Sequence, residues 1–446
     1  MAFETGGADG SNGKNKRGIQ IGGDMVRKWL KTHPLRTLNA DGRLLFVTRS
    51  LRLFAYGFLS VVLVLYVAQL GLSETQIGLL LTLTLVGDTF ISLWITTQAD
   101  RLGRRSMLLL GSFLMIGAGV LFALTGNFLL LLLAAIIGVI SPGGNEVGPF
   151  LPIEQAALTQ IVPGEKRTQI FAWYNLLGSM ATAVGALCGG MLAQKAQEAG
   201  LTALNSYRLE VVGYAVMGGA LGLLFSRLSP GVETVSRPER PAAFSPRKDW
   251  VGLHRSRKVV IKLAGLFSLD AFAGGFVLQS LVAYWFHLRF GVQPGTLGAI
   301  FFGANILAGI SALSAASLAK RIGLIRTMVF THIPSNILLI LVPLMPNLPL
   351  AITVLLLRFS ISQMDVPTRQ SYTMAVVDPD ERSAAAGLTG IARTTGASLA
   401  PIFAGPLLAQ AAWQSVPFFL SGGLKIIYDL LLYWSFRSIR PPEEKK

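Results

Sequence analysis

Charged side chains are scarce in this chain. Asp, Glu, Lys and Arg make up 14% of its 446 residues, against roughly 25% in a soluble globular protein. That shortage excludes a fold that depends on a solvated, charged surface. The single cysteine, Cys188, lies inside an apolar run, so no internal disulfide framework is possible. The four histidines, His33, His254, His287 and His332, are scattered without ligand spacing, and no metal centre is expected. No Gly-Lys-Ser/Thr phosphate loop occurs, so ATP-driven work by this chain alone is not expected. No catalytic residues and no cofactor emerge, and the chain does not read as an enzyme. The stretch 1–43 lacks the short apolar core and small-residue cleavage site of a signal peptide. The short alternating segments of a β-barrel are absent too.

What the sequence has instead is apolar length. It is 52% hydrophobic, with a mean hydropathy of +0.55. A helix needs about 20 apolar residues to cross a bilayer, where the backbone must satisfy its own hydrogen bonds. The runs predict an all-α polytopic membrane protein with twelve spans, at roughly 44–66, 77–98, 106–125, 127–147, 170–193, 209–228, 259–287, 296–319, 324–345, 349–366, 384–409 and 416–436. Between the sixth and seventh lies a polar linker holding Pro230, Pro238, Pro241 and Pro246. The expected division is a tail at 1–43, a six-helix bundle at 44–228, a linker at 229–257, a second bundle at 258–436 and a tail at 437–446. Met25–Lys31 reads either as a surface helix or as part of an irregular tail.

The formal charge is +16. In a soluble chain that would point to nucleic acid. Here the cations collect in the N-terminal stretch and in alternate loops: Arg27, Lys28, Lys31, Arg36 and Arg43; Arg101, Arg104 and Arg105; Lys166 and Arg167; Arg237 to Lys258; Lys320, Arg321 and Arg326; Arg382; Arg437 to Lys446. The other loops hold only Lys195, Arg208 and Arg289. By the positive-inside rule the basic loops and both termini are expected in the cytoplasm. Which cellular membrane holds the chain is not set by sequence, with a plasma or inner membrane favoured.

The two halves repeat each other. Leu151-Pro152-Ile153-Glu154-Gln155 matches Val366-Pro367-Thr368-Arg369-Gln370, and Gly190-Met191-Leu192 matches Gly405-Pro406-Leu407. Glu165-Lys166-Arg167 matches Asp380-Glu381-Arg382. Upstream, Phe54-Ala55-Tyr56-Gly57-Phe58 matches Phe272-Ala273-Gly274-Gly275-Phe276, and Arg101-Leu102-Gly103 matches Arg321-Ile322-Gly323. An even number of spans per copy gives both copies one orientation, a parallel repeat about the membrane normal.

The turn between spans 2 and 3 is Asp100-Arg101-Leu102-Gly103-Arg104-Arg105. Together with the twelve spans and the central linker, it resembles the major facilitator superfamily. That family's signature here is Gly-x-x-x-Asp-Arg-x-Gly-Arg-Arg/Lys, with Thr96 standing at the leading Gly. The resemblance covers about 44 to 436 and implies a secondary transporter working by alternating access. Asp100, Arg101, Gly103, Arg104 and Arg105 then form a gating motif, or more plainly a topology signal. Antiporters of the family often carry Gly-Pro-x-x-Gly-Gly in span 5, where this chain has Gly185-Ala186-Leu187-Cys188-Gly189-Gly190. That partial match leans toward efflux. Arg52 stands where drug-proton antiporters often place an acid, which leans the other way.

Polar residues inside spans need a reason, because charge in hydrocarbon is costly. Asp88, with Thr84, Ser92 and Thr96, forms one face of span 2. It reads as a titratable cavity residue or as one side of a helix contact. Glu146, Asp270 and Asp365 are the other candidate proton-coupling acids. Arg52 and Asp270 occupy repeat-related positions with opposite charge, as do Glu154 and Arg369. These are expected to bridge the halves as a gate, or else to pair within their own half. Asp365 could pair with either Arg358 or Arg369; Arg358 either binds an anionic substrate or pairs with Asp365, and Arg393 adds a further cation in span 11. Tyr56, Asn175 and Ser179 are expected to line the cavity.

The reading is a proton-coupled secondary transporter of a small organic molecule, leaning to efflux and expected to work as a monomer. Its partners are the substrate, protons and the lipid bilayer, and no nucleic acid. An anion uptake symporter, or a non-transporting receptor or scaffold on a transporter fold, stays open at this level.

Overall fold

The computed structural model describes residues 38–163, 166–233, 253–378 and 381–439. The Met25–Lys31 segment, Pro238, Pro241, Pro246, Glu165 and Asp380 lie outside the described residues. Seventeen α-helices run through the described residues, and no strand is present among them.

Span 1 is α1 (Ala40–Ser60) and α2 (Leu63–Gln69), bent by 44°. The Asn39 side chain caps α1 by accepting from the Gly42 N–H. Span 2 is α3 (Glu74–Leu102), opened by a Ser73/Gln76 capping box. Span 3 is α4 (Arg104–Leu124). Span 4 is α5 (Phe128–Ile137) and α6 (Phe150–Ile161), with a non-helical stretch between them. Spans 5 and 6 are α7 (Arg167–Glu198) and α8 (Ala203–Phe225). In the second half, span 7 is α9 (Arg257–Gly275) and α10 (Gln279–Phe290), and span 8 is α11 (Pro294–Ile322). Span 9 is α12 (Leu324–Leu341). Span 10 is α13 (Leu348–Ser362) and α14 (Asp365–Ala375). Span 11 is α15 (Arg382–Leu399) and α16 (Pro401–Ala409), and span 12 is α17 (Val416–Phe436).

Among the described residues, nine helices are long and apolar enough to cross a membrane, and ten when the bent span 1 is included. The two remaining segments are the broken spans 4 and 11, which is consistent with twelve. Large apolar side chains such as Phe90, Leu124, Leu129, Leu223 and Trp434 face outward. In water that would be a liability; against lipid tails it is the expected surface.

Two boundaries differ from the sequence reading. Span 4 does not stop at 147, because helix resumes at Phe150 and carries Glu154 inside it. Span 10 does not stop at 366: it breaks at Gln363 and Met364 and resumes as helix through Ala375. Pro367 sits in the first turn of α14, where a missing N–H costs nothing.

The packing repeats as the sequence does. In the first half α1 lies against α7, α3 against α5, and α4 against α8. In the second half α9 lies against α15, α11 against α13, and α12 against α17. The halves meet through α7 with α11 and through α3 with α15 and α16, a pair of contacts related by the same two-fold.

Glycine makes both contacts possible. A Cβ on Gly78 would come within 2.4 Å of the Pro401 carbonyl oxygen, and one on Gly405 within 2.3 Å of that of Glu74. Across the other contact, a Cβ on Gly190 would meet the Pro294 carbonyl at 2.2 Å. These approaches bring backbone to backbone, the arrangement small residues provide in membranes.

Candidate functional site

The buried charges form two clusters, one in each half. In the first, the Arg52 guanidinium donates to both oxygens of Glu154 at 2.7 Å and, through Nε, to Glu146 at 2.9 Å. Thr48 donates to Glu154 at 3.0 Å, and the Tyr174 hydroxyl also donates to it. Arg49 donates to Glu146 at 2.9 Å, to the Tyr174 carbonyl at 3.0 Å and to Asn175 at 3.2 Å. Arg52 and Glu154 are fully buried. Two cations therefore neutralise two carboxylates, in the bidentate geometry that makes a dry ion pair tolerable.

In the second half, Arg369 bridges Asp270 and Asp365, each at 3.0 Å. Lys425 on α17 reaches Asp270 at 2.5 Å. His332 on α12 bonds Asp429 through Nδ1 at 2.9 Å, and Asn336 donates to the same carboxylate at 3.1 Å. The Nε2 of His332 stands 4.0 Å from Asp270.

These clusters correct the expectation of bridges between the halves. Arg52 does not reach Asp270, and Glu154 does not reach Arg369. The charge reversal is real, but each residue pairs within its own half: Arg52 with Glu154, Asp270 with Arg369. The reason is energetic. A buried pair split by relative motion of the halves would leave two uncompensated charges, whereas a pair within one bundle survives that motion. The expected Arg358–Asp365 pair is also absent, because Asp365 is taken by Arg369.

Between the halves lies a cavity of about 790 Å³, within the ordinary range for small-molecule sites. Its walls are apolar, with Leu53, Leu176, Val277, Phe301 and Leu355 among them. Its ionisable lining residues are Arg49, Glu146, Arg358 and Lys425. Asn175 and Ser179 line it as expected. Tyr56 does not: it is fully buried and donates to the Val147 carbonyl at 3.1 Å. Asp88 lies outside the lining, half-buried, with Ser92 donating to it at 3.3 Å. Arg393 also lies outside it, with its Nε buried and unpartnered.

One end of the cavity is closed by contacts between the halves. Gln279 donates to Ser60 at 2.7 Å, Tyr284 to Glu74 at 3.0 Å, and the Gly295 N–H to Gln194 at 3.1 Å. The glycine contacts lie at this end. No hydrogen bond or ion pair between the halves is present at the opposite, basic end among the described residues.

That basic end carries the 100–105 turn. Gly103 adopts φ +96°, in the left-handed region that admits glycine, and its repeat mate Gly323 has φ +90°. Asp100 pairs with Arg104 at 3.0 Å. The Glu233 carboxylate accepts the Arg104 N–H at 2.6 Å and the Arg105 N–H at 3.2 Å, capping α4. Arg104 also donates to the Val232 carbonyl at 3.3 Å, and Arg105 to that of Ser226. The turn is thus fastened to the end of span 6, in its own half. In the second half Glu381 plays a matching part: it accepts the N–H groups of His254, Arg255 and Ser256 at 2.8 to 2.9 Å. Burial opposes its ionisation, but these donors hold its carboxyl down at about 2.

The sequence reading missed Lys425, Asp429, His332 and Glu210. Lys425 and Asp429 stand one helical turn apart in an otherwise apolar span, so the rule applied to Asp88 would have found them. Glu210 is fully buried on α8, and neither of its oxygens has a hydrogen-bond partner.

Comparison with known proteins gives this geometry a setting. Residues 45–401 and 290–446 match the family model of the Major Facilitator Superfamily. The chain is 31% identical over 424 residues to the uncharacterized membrane protein YJR124C of Saccharomyces cerevisiae, covering 90% of this chain and 94% of that one. Over 138 residues it is 27% identical to the quinolone resistance protein NorA of Staphylococcus aureus, covering 31% of this chain and 34% of NorA. Its fold is similar to that of a bacterial homologue of the human lysosomal transporter Spinster, crystallised inward-facing and unoccupied. The TM-score there is 0.69 at 16% identity, covering 89% of this chain and 96% of the other.

Proposed function

The chain belongs to the Major Facilitator Superfamily, and from that premise we propose that it is a proton-coupled secondary transporter, moving a small organic molecule by alternating access. The observation that carries this is the cavity: it lies between two bundles, sealed at one end by backbone-close contacts and, among the described residues, without polar bridges at the other. Each bundle keeps its buried ion pairs to itself, so the bundles can rock without separating one. With the basic loops in the cytoplasm, the cavity opens inward.

Glu146 and Asp270 are the coupling acids of this reading. Glu146 lines the cavity and holds both Arg49 and Arg52; protonation would release them. Asp270 holds Lys425, which also lines the cavity. Asp88 and Asp365 are the further acids to test. Outward direction is supported by the local likeness to a quinolone resistance protein and by the small-residue run of span 5. The protein works as a monomer embedded in lipid, because the cavity is complete within one chain.

Reconstituted liposomes test the proposal. A transported compound should drive proton movement that is lost in Glu146→Gln or Asp270→Asn, with exchange of substrate retained. Transport without any linked proton movement would remove the coupling, and a protein that moves no compound while retaining a soluble partner would remove transport itself.

A further inference from the structure

We infer that the substrate is an organic monoanion with an apolar body, held by Arg358 on α13. This rests on the transporter reading above and names the chemistry of its cavity. The charge count inside the cavity leads to it. Of the four ionisable lining residues, Arg49 is bound to Glu146 at 2.9 Å, and Lys425 to Asp270 at 2.5 Å. Arg358 alone has no carboxylate within 4.0 Å among the described residues. Its Nε is buried without a hydrogen-bond partner, and its guanidinium lies 4.9 Å from the ring centroid of Phe359.

The acids that could have neutralised it are engaged. Asp365, one and a half to two turns further along the same span, belongs to Arg369, and Asp270 is shared by Arg369 and Lys425. Within the lining, Arg49 is held by Glu146 and Lys425 by Asp270, so Arg358 is the one lining cation left without a carboxylate beside it among the described residues. A guanidinium in an apolar-walled site lacks the water that would solvate it. A planar carboxylate supplies what it lacks: opposite charge and two parallel acceptors. One unpaired lining cation selects one negative charge; a dianion would bring a second charge with no other unpaired cation in the lining to meet it. The apolar walls take the rest of the molecule, and Gln363 and Gln370 offer neutral hydrogen bonds at the same side.

Three compounds of one shape provide the test: 4-phenylbutyrate, its amide, and 4-phenylbutylamine, with octanoate and 2-naphthoate as further acids. Binding to the purified full-length protein is measured at pH 7 by calorimetry, and counterflow of the same compounds is measured in liposomes. The acids should bind at least tenfold more tightly than the amide, and the amine not at all. Arg358→Gln should abolish the preference for acid over amide, while Arg358→Lys should retain part of it. The comparison of acid with amide uses the unaltered protein, so it stands whether or not a variant folds. Equal binding of acid and amide, preference for the amine, binding of none of the acids, or an unchanged preference in a folded Arg358→Gln protein would overturn the inference. Movement of the amide or amine would leave the transporter reading intact while refuting the anion. Acid binding through Arg358 with no movement of any compound would do the reverse.

Discussion

Arg52 and Glu154 show how far residue-level reading of this sequence reaches. Repeat alignment picked out Arg52, Glu154, Asp270 and Arg369 correctly as a related set, and the structure places all four in buried ion clusters. It misassigned their partners, because alignment relates positions by a rotation and carries no distance between them. The correction changes the expected outcome of charge swaps. Breaking the Arg52–Glu154 pair by Arg52→Glu should cost about 3–5 kcal/mol, as removal of one partner from a buried pair generally does. The double reversal Arg52→Glu with Glu154→Arg should recover at least half of the lost thermal stability in detergent. Arg52→Asp with Asp270→Arg should be no better than the sum of its single changes, since the two sites share no contact. Recovery in the second swap and none in the first would restore the bridge between halves. Lys425 and Asp429 were equally legible as charges within an apolar run. Arg358 was visible as a deep cation, and Asp365 as a partner for either Arg358 or Arg369; the structure gives it to Arg369, four residues on in α14.

At the scale of elements, most spans were readable, because twenty-residue apolar runs leave little choice in a bilayer. The broken spans were less so. Span 4 resumes as helix after twelve non-helical residues, and apolarity alone does not distinguish that break from an end. The glycine contacts appeared in sequence only as repeat-related positions; their meeting across the halves is tertiary. Gly405→Leu should wedge α16 from α3 and open the sealed end. Spin labels at Leu201 and Leu288, both exposed, should then report a longer separation, while Gly219→Leu, at a position with open space, should leave it unchanged. An unaltered separation in Gly405→Leu would mean that this contact does not hold the end shut. Glu381 makes a pH-dependent tie between residues 254–256 and the start of α15. Its carboxyl is lowered from an ordinary 4.5 to about 2, so the tie is fully present above about 4.5 and weakens as pH falls toward 2. Protection of the 254–256 amides, corrected for intrinsic exchange, should decline over that window. In Glu381→Gln it should be low throughout; strong protection in that variant would assign the fastening to other contacts.

For the whole molecule, the family, the two-bundle plan and the membrane setting were legible from the spacing of apolar runs and from the 100–105 turn. The state of the molecule was not: sequence is the same whichever end is open. In the structure the halves touch at the end of Gly78 and Gly190 and, among the described residues, keep their charges to themselves elsewhere; the central claim is that they move as two units about the cavity. The most direct measurement uses spin labels at Gln160 on α6 and Ser371 on α14, exposed positions in repeat-related helices of the two halves. A second pair, Gln160 with Thr97, lies within one half. Adding a transported compound under a proton gradient should shorten the separation between halves and populate a second, closer distance, with the separation within the half unchanged. A fixed distance between halves, or a change confined to the pair within one half, would contradict the account.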